Sequence, residues 1–140
     1  MKIVDANVLL YSVNRQARQH QRATEWLSGA LSSAESVGLP WVSLLAFLRV
    51  STNRRIFERA LSAEQAFDVV EVWLGRRQVT TLAPTARHLP IMRGLVETHG
   101  AAGNMTTDAH LAALALEHGA EIVTFDRDFV RFGVKLELLA

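Results

Sequence analysis

Ile122-Val123-Thr124-Phe125-Asp126-Arg127-Asp128 predicts both a strand and what stands at its end. Its first four residues are β-branched or aromatic, and such a short apolar run suits a buried strand. The run stops at a carboxylate. The chain opens the same way: Lys2 precedes Ile3 and Val4, and the run stops at Asp5. Working inward, Asn7 to Val13 reads as a turn or two of helix, and Gln16 to about Ala34 as a longer helix with Ala23, Trp26, Leu27, Ala30 and Leu31 on one stripe. Ser36 to Leu39 is a short strand. Pro40 suits the first turn of a helix over Trp41 to Thr52, which is apolar on most sides and so expected to be buried. Ser62 and Gln65 have capping-box spacing ahead of Ala66, Val69, Val70, Trp73 and Leu74. Val79 to Leu82 is a strand, and Thr85 caps a helix that reaches His99 and stops at Gly100. After a turn at Gly103-Asn104, Thr106 or Thr107 caps a helix that runs to His118 and ends at Gly119. Val134 to Leu138 is the last strand.

Strands that alternate with helices predict an α/β domain with a mostly parallel sheet of about five short strands and helices on both faces. The 140 residues suit one domain, 1–140, without repeat or linker. Hydrophobic residues make up 49% of the chain and charged ones 21%, a globular balance. The absence of cysteine excludes a disulfide scaffold, a thiolate zinc site and a cysteine nucleophile. No signal peptide or membrane span is visible, so the expected location is cytoplasmic, with no membrane partner. The net charge of +1 argues against a module that coats nucleic acid by bulk charge, but it leaves room for a local basic groove.

Only five of the acids are aspartates, namely Asp5, Asp68, Asp108, Asp126 and Asp128. In open α/β sheets ligands bind beyond the carboxyl ends of the strands. Asp5 and Asp126 follow two strands, Asp108 opens a helix and Asp128 lies two residues past Asp126, so these carboxylates are expected to converge. Singly, each is an ordinary helix cap or turn former. Together they repel, and a cation among them is the relief. Oxygen donors without His or Cys suit Mg²⁺ or Mn²⁺, which can ionise water and neutralise a phosphodiester.

Three segments carry a family resemblance: Val4-Asp5-Ala6-Asn7-Val8-Leu9, Thr107-Asp108-Ala109-His110-Leu111-Ala112-Ala113-Leu114-Ala115 and Val123-Thr124-Phe125-Asp126-Arg127-Asp128-Phe129. In order, spacing and context they resemble the aspartate motifs of PIN-domain ribonucleases, and most closely those of the VapC-type toxins of bacterial toxin–antitoxin systems. The resemblance implies a Mg²⁺- or Mn²⁺-dependent endoribonuclease that cleaves structured RNA to inhibit translation and growth. It also implies a homodimer and a cognate antitoxin protein that enters the active-site groove. By motif, Asp5, Asp108 and Asp126 are the catalytic and metal-binding residues, with Asp128 as a further metal ligand. Asn7, Asn104 and Thr124 are expected to orient the carboxylates.

One position departs from the family, which usually places a glutamate in the third helical segment. Here that stretch is Ser43-Leu44-Leu45-Ala46-Phe47-Leu48-Arg49, with Phe47, give or take one residue, where the acid belongs. No acid occurs from Gly38 to Phe57. The expectation is reduced but real activity, and the alternative is a weak or inactive module that binds RNA, an antitoxin or both. Arg49, Arg54 and Arg55 are candidate phosphate contacts, though cations at a helix end also favour its dipole. The histidines show no metal-ligand spacing, and His110 is expected to point away from Asp108. Trp26, Trp41 and Trp73 are read as core or dimer interface. A phospho-acceptor receiver domain is disfavoured because Asp5 is unpaired. A haloacid-dehalogenase-type phosphatase is disfavoured because Asn7 stands where its second Asp belongs.

Overall fold

The computed structural model describes residues 1–140. Five parallel strands form one sheet: β1 (Lys2–Val4), β2 (Val37–Gly38), β3 (Val79–Thr80), β4 (Glu121–Thr124) and β5 (Leu136–Leu138), in the order β3-β2-β1-β4-β5. The helices are α1 (Ala6–Val13), α2 (His20–Leu31), α3 (Trp41–Ser51), α4 (Ala63–Leu74), α5 (His88–His99) and α6 (Thr106–His118). Short 3-10 turns occupy Gly103–Met105 and Arg127–Phe132.

Successive residues of a strand face opposite sides, and here both sides are covered. Val4 and Val123 join a core with Val8, Leu27, Leu44 and Phe47, whereas Ile3 and Ile122 join a second core with Leu111, Leu114 and Phe129. Helices therefore flank both faces, as the near-continuous apolar strands predict. At the amino end of β1, Lys2 pairs with Glu121 and Glu137, 3.1 Å from each, and so straps β1 to β4 and β5.

Several boundaries differ from the sequence expectation, each for a local reason. β3 stops at Thr80 because it pairs only with the two residues of β2. β4 stops at Thr124 because the Phe125 N–H donates to the Asn7 side chain instead of a neighbouring strand. α2 begins at His20, since Asn14 Oδ1 accepts the Gln16 N–H and holds the preceding residues in a turn. Thr85 serves the turn ahead of α5 and is not the N-cap itself: its N–H and hydroxyl donate to Glu117, its hydroxyl oxygen accepts the Arg87 N–H, and α5 starts only at His88. Pro90 falls within that first turn, where N–H groups have no intrahelical partner. Neither Thr106 nor Thr107 caps α6, because the 3-10 turn over Gly103–Met105 runs directly into it. The Ser62–Gln65 capping box forms as expected, and Gly100 and Gly119 end α5 and α6 with φ of 61° and 60°.

Candidate active site

Asp5 sits at the end of β1, and its N–H donates to the Val123 carbonyl at 3.0 Å, which ties it to β4. It is also the N-cap of α1, with Oδ1 accepting the Ala6 N–H at 2.7 Å. Oδ2 accepts the Thr124 hydroxyl at 2.7 Å and the Asn7 amide at 3.1 Å. Thr124 is fully buried and takes two further bonds on its oxygen, from Asn7 Nδ2 at 3.2 Å and from the Asp126 N–H at 2.9 Å. Asp126 then accepts the Asp128 N–H at 2.8 Å. Thr124 and Asn7 thus bind the ends of β1 and β4 into one polar knot around the Asp5 carboxylate.

Asp108 lies in the first turn of α6 and faces the same cluster. Burial and then the charges of Asp5, Asp126 and Asp128 push its carboxyl up to about 6, against the opposing pull of Arg131. Asp5 is also raised above the ordinary range. Burial is the main cause and Asp126 adds to it, although hydrogen bonds from Thr124, Ala6 and Asn7 pull the other way. Four carboxylates from three segments therefore share one edge of the sheet.

The donor set fits a hard divalent cation, being all oxygen and carrying charge that the protein leaves uncompensated. The cluster is open, and no three of its side chains converge on a single ion position in this structure. Both Asp5 oxygens and Asp126 Oδ1 are engaged by protein donors instead.

Two expectations are corrected, those for Asn104 and Phe47. Asn104 is exposed in the 3-10 turn and makes no hydrogen bond to any carboxylate. Arg49, Arg54 and Arg55 are exposed. The start of α3 touches β1, where the Ser43 hydroxyl donates to the Val4 carbonyl at 2.7 Å. Arg49 lies roughly 9 Å further along the helix at its usual rise, and the other two arginines lie past its end. Phe47 does not face the carboxylates either. It is fully buried and packs edge-on against Trp73, with ring centroids 4.8 Å apart. Ala46 is the half-buried α3 residue one turn past Ser43 and Val42, and Val42 packs in the core that also holds Met105.

Other features were not anticipated. His110 does turn away from Asp108, but into a buried network: His110 Nδ1 lies 2.9 Å from His88 Nε2, and His88 Nδ1 bonds the Glu117 carboxylate. Burial opposes the charged Glu117, yet bonds from Thr85 and His88 outweigh it and hold its carboxyl below the usual range. Beside Asp126 lies an open groove of about 610 Å³ whose lining includes Asn7, Tyr11, Arg18, Arg22 and Phe125. The sequence signal for it is an acid-free run from Ala6 to Thr24 that holds Arg15, Arg18 and Arg22.

The PIN domain family model matches residues 2–135. The chain is 48% identical over 132 residues to "Ribonuclease VapC37" of Mycobacterium tuberculosis, covering 94% of this chain and 92% of that protein. It is 39% identical over 132 residues to "Ribonuclease VapC33" of the same species, with the same coverage of each chain. Among solved structures, VapBC2 from Rickettsia felis, bound to a promoter DNA fragment, superposes with a TM-score of 0.70 at 17% identity, over 98% of this chain and 97% of that one. DNA-bound VapBC from Salmonella typhimurium gives 0.68 at 20% identity, over 99% and 98%. These two structures share the fold, and the family match together with the 48% and 39% relatives covers nearly the whole sequence: the chain belongs to the PIN domain family.

Proposed function

We propose that this protein is a Mg²⁺- or Mn²⁺-dependent endoribonuclease that acts as the toxin of a VapBC-type pair and cleaves structured RNA in the cytoplasm to arrest translation and growth. The observation that carries this is the carboxylate edge itself, where burial and then three neighbouring aspartates push Asp108 up to about 6. Asp5, Asp108 and Asp126 would hold the ion, with Asp128 at its margin. When bound, such an ion neutralises phosphodiester charge and eases the ionisation of water. The protein's own contribution is orientation. Thr124 and Asn7 fix the Asp5 carboxylate, and the Asp128 N–H fixes that of Asp126. A carboxylate of raised pKa, such as Asp108, is also suited to holding and releasing a proton near neutral pH.

The relatives named as ribonucleases support the RNA substrate, and the VapBC structures of the same fold support the antitoxin partner. A second copy of the chain is supported by Trp41 and Leu45, one turn apart on α3 and both exposed. The absence of any acid on α3 favours a second reading, a weakly active or inactive module that acts by binding RNA or an antitoxin.

Induced expression in a bacterial host separates the two. Growth arrest with accumulation of cut RNA is expected for the wild type, and Asp5→Asn should abolish both. Arrest that persists in Asp5→Asn without cut RNA would favour the binding module.

A further inference from the structure

The groove has Asp126 in its lining and runs on from the carboxylates to two cations. Its lining includes Arg18, just ahead of α2, and Arg22, in the first turn of α2. Neither arginine pairs with a carboxylate of the protein. They belong to a stretch of 19 residues, Ala6 to Thr24, that contains no acid. The groove's aromatic wall is Tyr11 against Phe125, with ring centroids 5.1 Å apart and ring planes at 88°. Both rings are only partly buried, and the Tyr11 hydroxyl makes no hydrogen bond within the protein. At the other end the groove opens onto Asp126 and onto Asn7, whose amide is committed to Asp5 and Thr124.

We propose that this groove is a nucleotide subsite for the RNA strand next to the bond that is cut. Arg18 and Arg22 hold the neighbouring backbone phosphate, and the Tyr11–Phe125 wall receives a base. The proposal rests on the ribonuclease reading given above. The chemistry favours a nucleic acid strand over an acidic protein segment because phosphate-binding forks and an aromatic surface occur together. Arginine matches phosphate oxygens bidentately, and aromatic side chains accept any base on their faces. The order of charges also fits a strand. A phosphodiester at the carboxylates needs a cation beside it, whereas the next phosphate along meets two arginines directly. These contacts position RNA without reading its sequence. The volume of about 610 Å³ lies within the usual range of small-ligand pockets, about 300–1,000 Å³.

The test uses the full chain and a short fluorescein-labelled single-stranded RNA, with anisotropy measured in EDTA so that nothing is cut. Arg18→Ala/Arg22→Ala is compared with wild type and with Arg76→Ala/Arg77→Ala, which changes two arginines outside the groove. The groove variant should weaken binding about tenfold and reduce the slope of log K against log salt by about 0.7, the contribution of the one single-strand phosphate that the two arginines share. The control variant should change neither. Replacing one backbone phosphate at a time by a neutral methylphosphonate should weaken wild-type binding at one position and have no effect there in the groove variant. A merely structural role for the arginines would not produce that position-specific loss. Tyr11→Leu should weaken binding with the salt slope unchanged, because stacking releases no counterions.

Cleavage of the same RNA in Mn²⁺ separates the two claims. If wild type neither binds nor cuts RNA, the ribonuclease reading falls and the subsite falls with it. If wild type cuts and the groove variant binds with unchanged affinity and slope, the subsite alone is overturned and the groove belongs to a protein partner. An equal loss in the control variant would also overturn it, by showing diffuse charge rather than a site.

Discussion

The Thr124 hydroxyl donates to Asp5 and accepts from Asn7 and Asp126, so one buried oxygen joins the ends of two strands. Valine has the same shape but lacks all three bonds. Thr124→Val should therefore lower stability by about 1–3 kcal/mol in chemical denaturation, the cost of leaving buried polar groups without partners. Thr124→Ser, which keeps the hydroxyl, should lose less. Asp5→Asn and Asp108→Asn remove charge with little change of shape. RNA cleavage should fall by at least about a hundredfold in each, with circular dichroism unchanged. Cleavage that survives both substitutions would point to a contaminating nuclease. Asp5, Asp108, Asp126, Thr124 and Asn7 were legible in the sequence because strand ends and a helix start fix where a backbone must place them. Asn104 was misread because proximity in sequence to Asp108 does not decide which way a 3-10 turn directs its side chains.

At the level of helices, α3 shows what a sequence pattern leaves open. A shift of one residue on a helix is a rotation of about 100°, enough to exchange core for site. Phe47 is the core residue, and Phe47→Glu should be strongly destabilised, by more than about 4 kcal/mol, as a charge forced against Trp73. Ala46→Glu should stay folded and raise Mn²⁺ affinity in calorimetric titration, and no gain would show that this face of α3 does not reach the carboxylates. The α5–α6 pair makes a separate prediction. Glu117 is held below its ordinary value near 4.5, and burial, then the neighbouring His88, hold His110 below its ordinary 6.5. A depressed histidine pKa means that the unfolded chain binds more protons, so stability falls as pH drops through about 6.5. The Glu117 contribution is complete above about 4.5 and is lost as pH falls through its lower folded value. The stabilisation from this pair should therefore fall in two stages on acidification, against the opposite contribution of Asp108. In His110→Phe the first stage should shrink, as followed by thermal denaturation from pH 8 to pH 4. No periodicity rule pairs His88 with His110 and Glu117, because the contact crosses between two helices.

Across the whole molecule, a charge of +1 hides two local excesses, aspartates at the carboxyl edge of the sheet and arginines ahead of α2. The alternation of strands and helices was enough to predict a parallel sheet covered on both faces, since Ile3 and Val4, like Ile122 and Val123, had to enter different cores. The groove was not legible, because it forms where the turn before α2 meets the loop after β4, far apart in sequence. The raised Asp108 carries a sign that can be checked. Its folded pKa of about 6 exceeds the ordinary 3.8, so the metal-free fold loses stability as pH rises between those values. A cation bound to the carboxylates relieves that cost. Added Mn²⁺ should accordingly raise the melting temperature more at pH 7.5 than at pH 5, and Asp108→Asn should flatten the difference. The most direct measurement of the central claim is single-turnover cleavage of a labelled structured RNA by purified wild type and Asp126→Asn, each in Mn²⁺ and in EDTA. Cleavage only by wild type and only with Mn²⁺ is the predicted result. Cleavage at the same rate in EDTA, or by Asp126→Asn, would contradict it.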